Sequence, residues 1–245
     1  MVMLETLKRY LGTGWVEADE TWTYASADDP TFTFTVAADV TTKYSAGMRI
    51  KLTQTTVKYF IITAVSTYSG GNTTITVYGG TDYDLTDAAI TANYYSTQKA
   101  PQGFPLSPAK WQVVITSTTA TADTSTTTDW LNLGSHSITV PIGVWNLGYS
   151  VHARSIRAST NPAFVKTTLS TGNNSETNTK LSCVGIGEYP VNPNTATKFM
   201  VKESVVVATS KTVYYLNIRS EYGNTYLQIR NEDNPMFITA TCAYL

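Results

Sequence analysis

Between Gly143 and Ile156 the sequence alternates with a period of two. Trp145, Leu147, Tyr149, Val151 and Ala153 interleave with Asn146, Gly148, Ser150, His152 and Arg154. Successive side chains of a strand point to opposite faces, so this stretch predicts one buried and one polar face over more than ten residues. The same period runs through Thr31-Phe32-Thr33-Phe34-Thr35-Val36, Tyr215-Leu216-Asn217-Ile218-Arg219 and Tyr226-Leu227-Gln228-Ile229-Arg230. Thr supplies 43 of the 245 residues and Tyr 16, and both suit a pleated, half-buried surface. The expected fold class is all-β.

Punctuation divides the chain. Lys99-Ala100-Pro101-Gln102-Gly103-Phe104-Pro105-Leu106-Ser107-Pro108 reads as a stiff connector, since three prolines fit neither a helix nor a central strand. Before it, strand-like runs lie at 21–24, 31–36, 48–53, 57–65 and 73–78, with a hairpin turn at Gly70-Gly71-Asn72. Five short strands in so few residues predict a small closed or nearly closed barrel, with a brief helix at Asp87–Ala92. After it, runs at about 111–118, 136–140, 143–156, 163–170, 179–187, 198–208, 211–220, 225–230 and 236–244 predict an antiparallel jelly-roll sandwich. Ala120–Thr128, rich in Thr and Ser, reads as an exposed loop. The expected organisation is a short amphipathic helix or anchor over 1–12, a barrel for attachment over 13–99, a linker over 100–109 and a sandwich over 110–245.

Several function classes fall away. Seventeen basic residues against 18 acidic ones leave no basic footprint for nucleic acid. No apolar run is long enough to span a membrane as a helix, and the first residues, interrupted by Glu5, are not read as a secretory signal. Cys183 and Cys242 lie in apolar strand patterns and read as free buried thiols, with a disulfide as the alternative. His136 and His152 sit in strands with no zinc-type spacing. Asp82, Asp84 and Asp87 cluster as calcium ligands do, yet lack the glycine and distal glutamate of an EF-hand loop, and turn and capping roles are simpler. No nucleophile elbow or phosphate loop is present. Glu188, Glu203, Glu221, Glu232 and Asp233 are available as a carboxylate pair for glycoside cleavage, each at a strand end or loop where solvated charge is ordinary. The chain is therefore read as a non-enzyme with no catalytic residues, no metal site and no cofactor.

The first hundred residues resemble a module recurrent in virion proteins of tailed bacteriophages and prophages. Gly14-Trp15-Val16, Thr21-Trp22-Thr23-Tyr24-Ala25-Ser26, Lys43-Tyr44-Ser45-Ala46-Gly47-Met48-Arg49-Ile50-Lys51-Leu52, Tyr78-Gly79-Gly80-Thr81-Asp82-Tyr83 and Pro101-Gln102-Gly103-Phe104-Pro105 carry the resemblance. The second half is similar to trimeric jelly-roll heads at phage fibre tips and in C1q- and tumour-necrosis-factor-like proteins. Here the carriers are Ser137-Ile138-Thr139-Val140-Pro141, Tyr214-Tyr215-Leu216-Asn217-Ile218-Arg219 and Met236-Phe237-Ile238-Thr239-Ala240-Thr241. The resemblance implies a homotrimer packed about a threefold axis, synthesised in a bacterial cytoplasm and exposed on the virion. Its N-terminal domain would contact other virion proteins.

Binding residues tend to sit on loops held by a rigid scaffold. Aromatic faces stack on sugar rings, while amides and carboxylates bond hydroxyls. Trp130, Tyr189, Tyr222, Asn231 and Asp233 fall in or beside expected loops and are the candidate ligand contacts; for Trp130 and Tyr189 the plainer role is to close the ends of the sandwich. The expected function is a short trimeric surface fibre or spike whose C-terminal head contacts a glycan or protein of the host surface. A capsid decoration protein is the alternative, and a fibre-borne polysaccharide depolymerase the third reading.

Overall fold

The structure, a computed structural model, describes residues 12–124, 128–158, 162–187, 194–223, 226–231 and 234–244. The expected N-terminal helix lies outside these residues except for its last position. The chain divides into two compact units, one ending at Gln112 and the other running from Val113 to Tyr244. Both are antiparallel β throughout.

The first unit is one seven-stranded sheet. Its strands are β1 (Val16–Glu17), β2 (Trp22–Asp28), β3 (Thr31–Val36), β4 (Arg49–Gln54), β5 (Thr56–Val65), β6 (Thr73–Tyr78) and β7 (Thr91–Ser96), in the order β1-β7-β4-β5-β6-β3-β2. The barrel is not closed, since the edge strands β1 and β2 share no ladder. The chain instead brings the two edges near each other. Four residues separate Glu17 from Trp22, and such a link reaches at most about 18 Å. Seven flat strands would hold their outer members about 29 Å apart, so the sheet must roll. The segment after β3 fills the remaining gap. Tyr44 packs edge-on against Trp22 of β2 at 6.1 Å and against Tyr95 of β7 at 5.4 Å. Glu20, in the link itself, accepts hydrogen bonds from Lys43 at 2.6 Å and from the Tyr44 hydroxyl.

The alternation of β3 does what its pattern predicts. Phe34 and Val36 join Ile50, Leu52, Phe60, Ile62, Ile75 and Val77 in a fully buried core. Between β5 and β6, Gly70 and Gly71 take φ of 60° and 86°, and Ser69 pairs with Asn72. Two consecutive positive φ values make the type I′ turn that suits strand twist.

One expectation for this unit is corrected. Asp87–Ala92 is not helical: the buried Gln54 side chain takes up the local backbone, donating to the carbonyls of Thr86 and Ala88 at 3.0 Å each and accepting from Thr86 N. The chain then enters β7 directly. The Pro-rich stretch, expected as a stiff connector, is also bonded to the first unit. Gln102 N donates to Thr13 O, the Trp15 indole to Gln102 O and the Trp111 indole to Pro105 O, each at 2.8 Å. Phe104 stacks on Trp111 at 5.1 Å with 7° between planes. Its aromatic residues fasten the segment to the unit that precedes it.

The second unit is a two-sheet jelly-roll sandwich. One sheet orders β10 (Ser137–Val140), β15 (Thr212–Ser220), β12 (Phe164–Ser170) and β13 (Ser182–Ile186) as β10-β15-β12-β13. The other runs β8-β17-β11-β16-β9, with β14 on the remaining edge of β11. Its members are β8 (Gln112–Ser117), β9 (Thr121–Asp123), β11 (Gly143–Arg157), β14 (Asn194–Ala208), β16 (Tyr226–Ile229) and β17 (Met236–Tyr244). Trp145, Leu147, Tyr149, Val151 and Ala153 all point into the core, as the period requires. The Trp145 indole donates to Pro141 O at 3.0 Å and the Tyr149 hydroxyl bonds Thr167, so both polar tips are satisfied inside. Part of the expected Thr-rich loop is a strand: β9 pairs Thr121, Ala122 and Asp123 with Ile229, Gln228 and Leu227. Neither cysteine forms a disulfide; Cys242 is buried and Cys183 half-buried.

Burial pulls the Glu20 carboxyl upward, but Lys43 and Tyr44 hold it, on balance, below its ordinary value of 4.5. A lowered folded value contributes stability above the unfolded value and loses it as pH falls through the folded one. Thermal unfolding followed from about pH 7 to about pH 3 should therefore show a loss beginning near the ordinary carboxylate value, and Glu20→Gln should flatten that part of the curve. Gly80 has φ +67°, and a Cβ there would lie 2.0 Å from Lys110 O. Gly80→Ala should lower stability by more than about 1 kcal/mol, read as a drop in denaturant midpoint at unchanged slope.

Candidate functional site

Two surfaces of the second unit carry features that a solvated sandwich does not need. The first is the outer face of the four-stranded sheet. On β15 the even residues Tyr214, Leu216 and Ile218 face the core, so Tyr215, Asn217 and Arg219 face outward. Asn217 is nonetheless fully buried. The connection following β12 folds over it, and its amide donates to Gly172 O at 2.9 Å and Ser175 O at 2.7 Å while accepting from Asn174 N at 3.2 Å. Asn174 Oδ1 in turn accepts from Asn132 N at 2.6 Å, and the Asn132 amide donates to His136 O at 3.0 Å. Residues 132–136 stand out as a bulge along the β10 edge, because Leu131 still pairs with Ile218 while Ser137 pairs with Tyr215. Three asparagines thus tie two surface loops to the sheet.

Beside this network runs a charged row. The Arg219 guanidinium lies 5.3 Å from the Trp130 ring and 3.3 Å from Glu221, which also pairs with Lys166. Lys166, with Arg219 adding to it, holds the Glu221 carboxyl below the usual carboxylate range. Lys166 and Arg219 face each other across the β12–β15 ladder. Glu221 relieves a like-charge pair that would otherwise destabilise the sheet.

The candidate ligand residues do not converge. Trp130 is buried, with the Arg219 guanidinium over its ring. Tyr222 is exposed, with Phe164 edge-on at 5.6 Å and Arg157 4.8 Å from its ring. Asn231 is buried and donates to Thr119 O at 2.9 Å. No hydrogen bond or ring contact joins these three, and Tyr189 and Asp233 lie outside the described residues. The sequence reading missed Asn132, Asn174, Asn217 and Tyr215. An asparagine at an outward strand position reads as solvated, and only the folded-back loop gives it a role.

Several other carboxylates have local partners. Glu203 accepts from Asn146, Asp84 pairs with Lys58 at 2.9 Å, and Asp82 pairs with Lys110. Burial lowers the His136 pKa and favours the neutral ring. Glu188 and Glu232 lie outside the described residues. Among the described residues no three His, Cys, Asp or Glu side chains group as a metal site.

The second surface is the outer face of β14. This strand pairs with β11 along its whole length, and its outward residues are Phe199, Val201, Glu203, Val205 and Val207. The four apolar ones are 56–67% exposed. Val201 sits beside Ser150, which sits beside Phe237 of β17, itself 42% exposed. The result is an apolar row along β14, interrupted by Glu203, with Phe237 lying across Ser150 from it.

Asn217→Ala would remove three hydrogen bonds and strand two loop carbonyls. A loss of about 2–4 kcal/mol is expected, with faster amide exchange confined first to residues 171–178.

No protein-family model matches this sequence, and no curated protein matches it. Among solved structures it is similar to that of infectious bursal disease virus Gt strain, at 11% identity and a TM-score of 0.27, covering 95% of this chain and 62% of that one. The Gx strain structure gives 11%, 0.26, 92% and 60% for the same measures, and T=1 particles derived from that virus give 10%, 0.27, 95% and 60%. The chain spans about three fifths of the length of these structures. Likeness at such TM-scores carries no argument about this chain.

Proposed function

We propose that this chain is a non-enzymatic structural protein of a virus particle. In this reading it is displayed as a homotrimeric short fibre or spike, its first unit contacting other virion proteins and its second unit facing the host. The observation that carries the reading is the apolar row of Phe199, Val201, Val205 and Val207, with Phe237 across Ser150 from it. Large exposed apolar patches mark interfaces in soluble proteins, and a long, flat, apolar edge strand left uncovered is an aggregation hazard.

The occupant we assign to this face is a second copy of the chain. A net charge of −1 gives copies nothing to repel each other with at range. The one charge in the row, Glu203, accepts a hydrogen bond from the Asn146 amide. The resemblance to fibre heads supplies the threefold arrangement, and the observed jelly roll is the scaffold it requires. Symmetric copies would then display their loops together, so weak contacts add in avidity.

Light scattering on the full chain at micromolar concentration should give a trimer. Phe199→Lys with Val205→Lys removes two buried contacts worth about 1.5 kcal/mol or more each, so dissociation should rise about 100-fold with an unchanged far-UV circular dichroism spectrum. A monomeric wild-type chain would sink the assembly claim. Binding to isolated capsids but not to host cells would replace the fibre by a capsid decoration role. Release of reducing sugar from host polysaccharide would end the non-enzymatic reading.

A further inference from the structure

The two loops tied down by Asn217 leave a cleft between them. Its volume is about 230 Å³, and Asn132, Ser135, Asn173, Asn174 and Tyr215 line it. We propose that this cleft binds one residue of a neutral saccharide. The site rests on its own geometry and not on how copies of the chain assemble.

The lining selects the ligand class. Three amides, one hydroxyl and one phenol ring surround the space, with no ammonium, guanidinium or carboxylate among them. An anion would find no countercharge there, and a hard cation would find no carboxylate. Amides offer donors and acceptors side by side, which matches hydroxyl groups that both give and take a hydrogen bond. The Tyr215 ring adds a flat apolar wall of the kind that meets the C–H face of a sugar. The volume lies below the ~300–1,000 Å³ of pockets that hold drug-sized molecules, so one ring fits and an extended chain does not.

Polar capacity is also left over. Asn132 Oδ1 and His136 Nε2, both on the 132–136 bulge, are buried without a hydrogen-bond partner. Buried polar groups are ordinarily satisfied, so such a pair calls for a reason. A small turn of the Asn132 amide presents its oxygen to a hydroxyl in the cleft. Burial keeps His136 neutral, so the bulge adds no charge to repel or attract an ionic ligand.

The cleft is also preorganised. Ser135 and Asn174 both hold φ of +55°, a region costly for serine and persistent only where surroundings impose it. Here the surroundings are Asn217 and the Asn174–Asn132 bond. Loops fixed before binding lose little freedom on binding, which is what lets a shallow polar site hold a small ligand. Neither loop contributes to the β14 row, so occupancy of one surface leaves the other open.

The test is saturation-transfer NMR and calorimetry on the full chain, titrated separately with glucose, galactose, mannose and N-acetylglucosamine. Glucuronic acid and N-acetylneuraminic acid serve as charged comparators. At least one neutral sugar should bind saturably in the millimolar range, and both charged sugars more weakly. Asn173→Ala, on an exposed loop position, and Tyr215→Ala should each weaken that binding by roughly tenfold with no change in oligomeric state. Phe199→Lys with Val205→Lys should leave it intact, so failure of assembly and failure of sugar binding are read apart. The proposal is overturned if no neutral sugar binds, if the charged sugars bind as well, or if Asn173→Ala leaves the affinity unchanged.

Discussion

The second unit depends on the backbone pairing of β11. All fifteen of its residues are paired with β14 on one edge, while the other edge is shared in turn by β17 and β16. Because side chains alternate with a period of two, this one register decides the facing of four strands together. A slip of one residue would turn Trp145, Leu147, Tyr149, Val151 and Ala153 outward and drive His152 and Arg154 into the core. The stability of the register is thus the sum of a large apolar burial on one face and a charge penalty avoided on the other. The same register sets the apolar surface, since Val201, Ser150 and Phe237 are neighbours only because β14, β11 and β17 align there.

The two units manage their sheet edges by opposite means. In the first, the edges are brought together by a four-residue link and the gap is filled by Tyr44, with Glu20 and Lys43 beside it. The Pro-rich segment lays Phe104 and Trp111 over the same unit. In the second, β14 is fifteen residues long and pairs with β11 alone among the described strands. Lysine occurs on it at 198 and 202, on the alternate face from Phe199, Val201, Val205 and Val207. The device that usually protects an edge is therefore present on the strand and absent from its outward row.

Legibility followed period and failed with distance. The strands at 31–36 and 73–78 were readable to the residue, because their alternation is set locally by which side chains are apolar. β1 and β7 carry little of that signal: β1 has two residues, and β7 reads Thr-Ala-Asn-Tyr-Tyr-Ser without a clean apolar face. Its burial comes from partners about 45 residues earlier in the chain. β9 hid inside a Thr-rich stretch because the residue types that make exposed loops also tolerate a short edge strand. The Pro-rich stretch was legible as non-strand, but its aromatic anchors were not legible as anchors. The residues lining the cleft were not legible from the sequence. Aromatic and amide residues on loops of the sandwich were expected, and the structure brings together a different set: Tyr215, Asn132, Asn173 and Asn174 instead of Trp130, Tyr222 and Asn231. Trp130 and Asn231 are spent on packing. Asn217, which makes the site possible, is indistinguishable in sequence from any solvated asparagine on a strand.

The outer faces of the sandwich differ in the kind of partner they can satisfy. The four-stranded face carries loops whose backbone is bonded to Asn217 and an ion-paired row, with Val184 and Ile186 exposed at its β13 edge. Apolar burial against it would strand those polar groups without partners, which costs more than the contact returns. On the six-stranded face the apolar side chains of β14 gain by leaving water, beside the polar Asn146, Ser150, His152 and Arg154 of β11. In the proposed reading the β14 row serves assembly and the loops tied by Asn217 serve recognition. The separation follows from where the chain spends its asparagines and valines, since both faces rest on the same alternating scaffold.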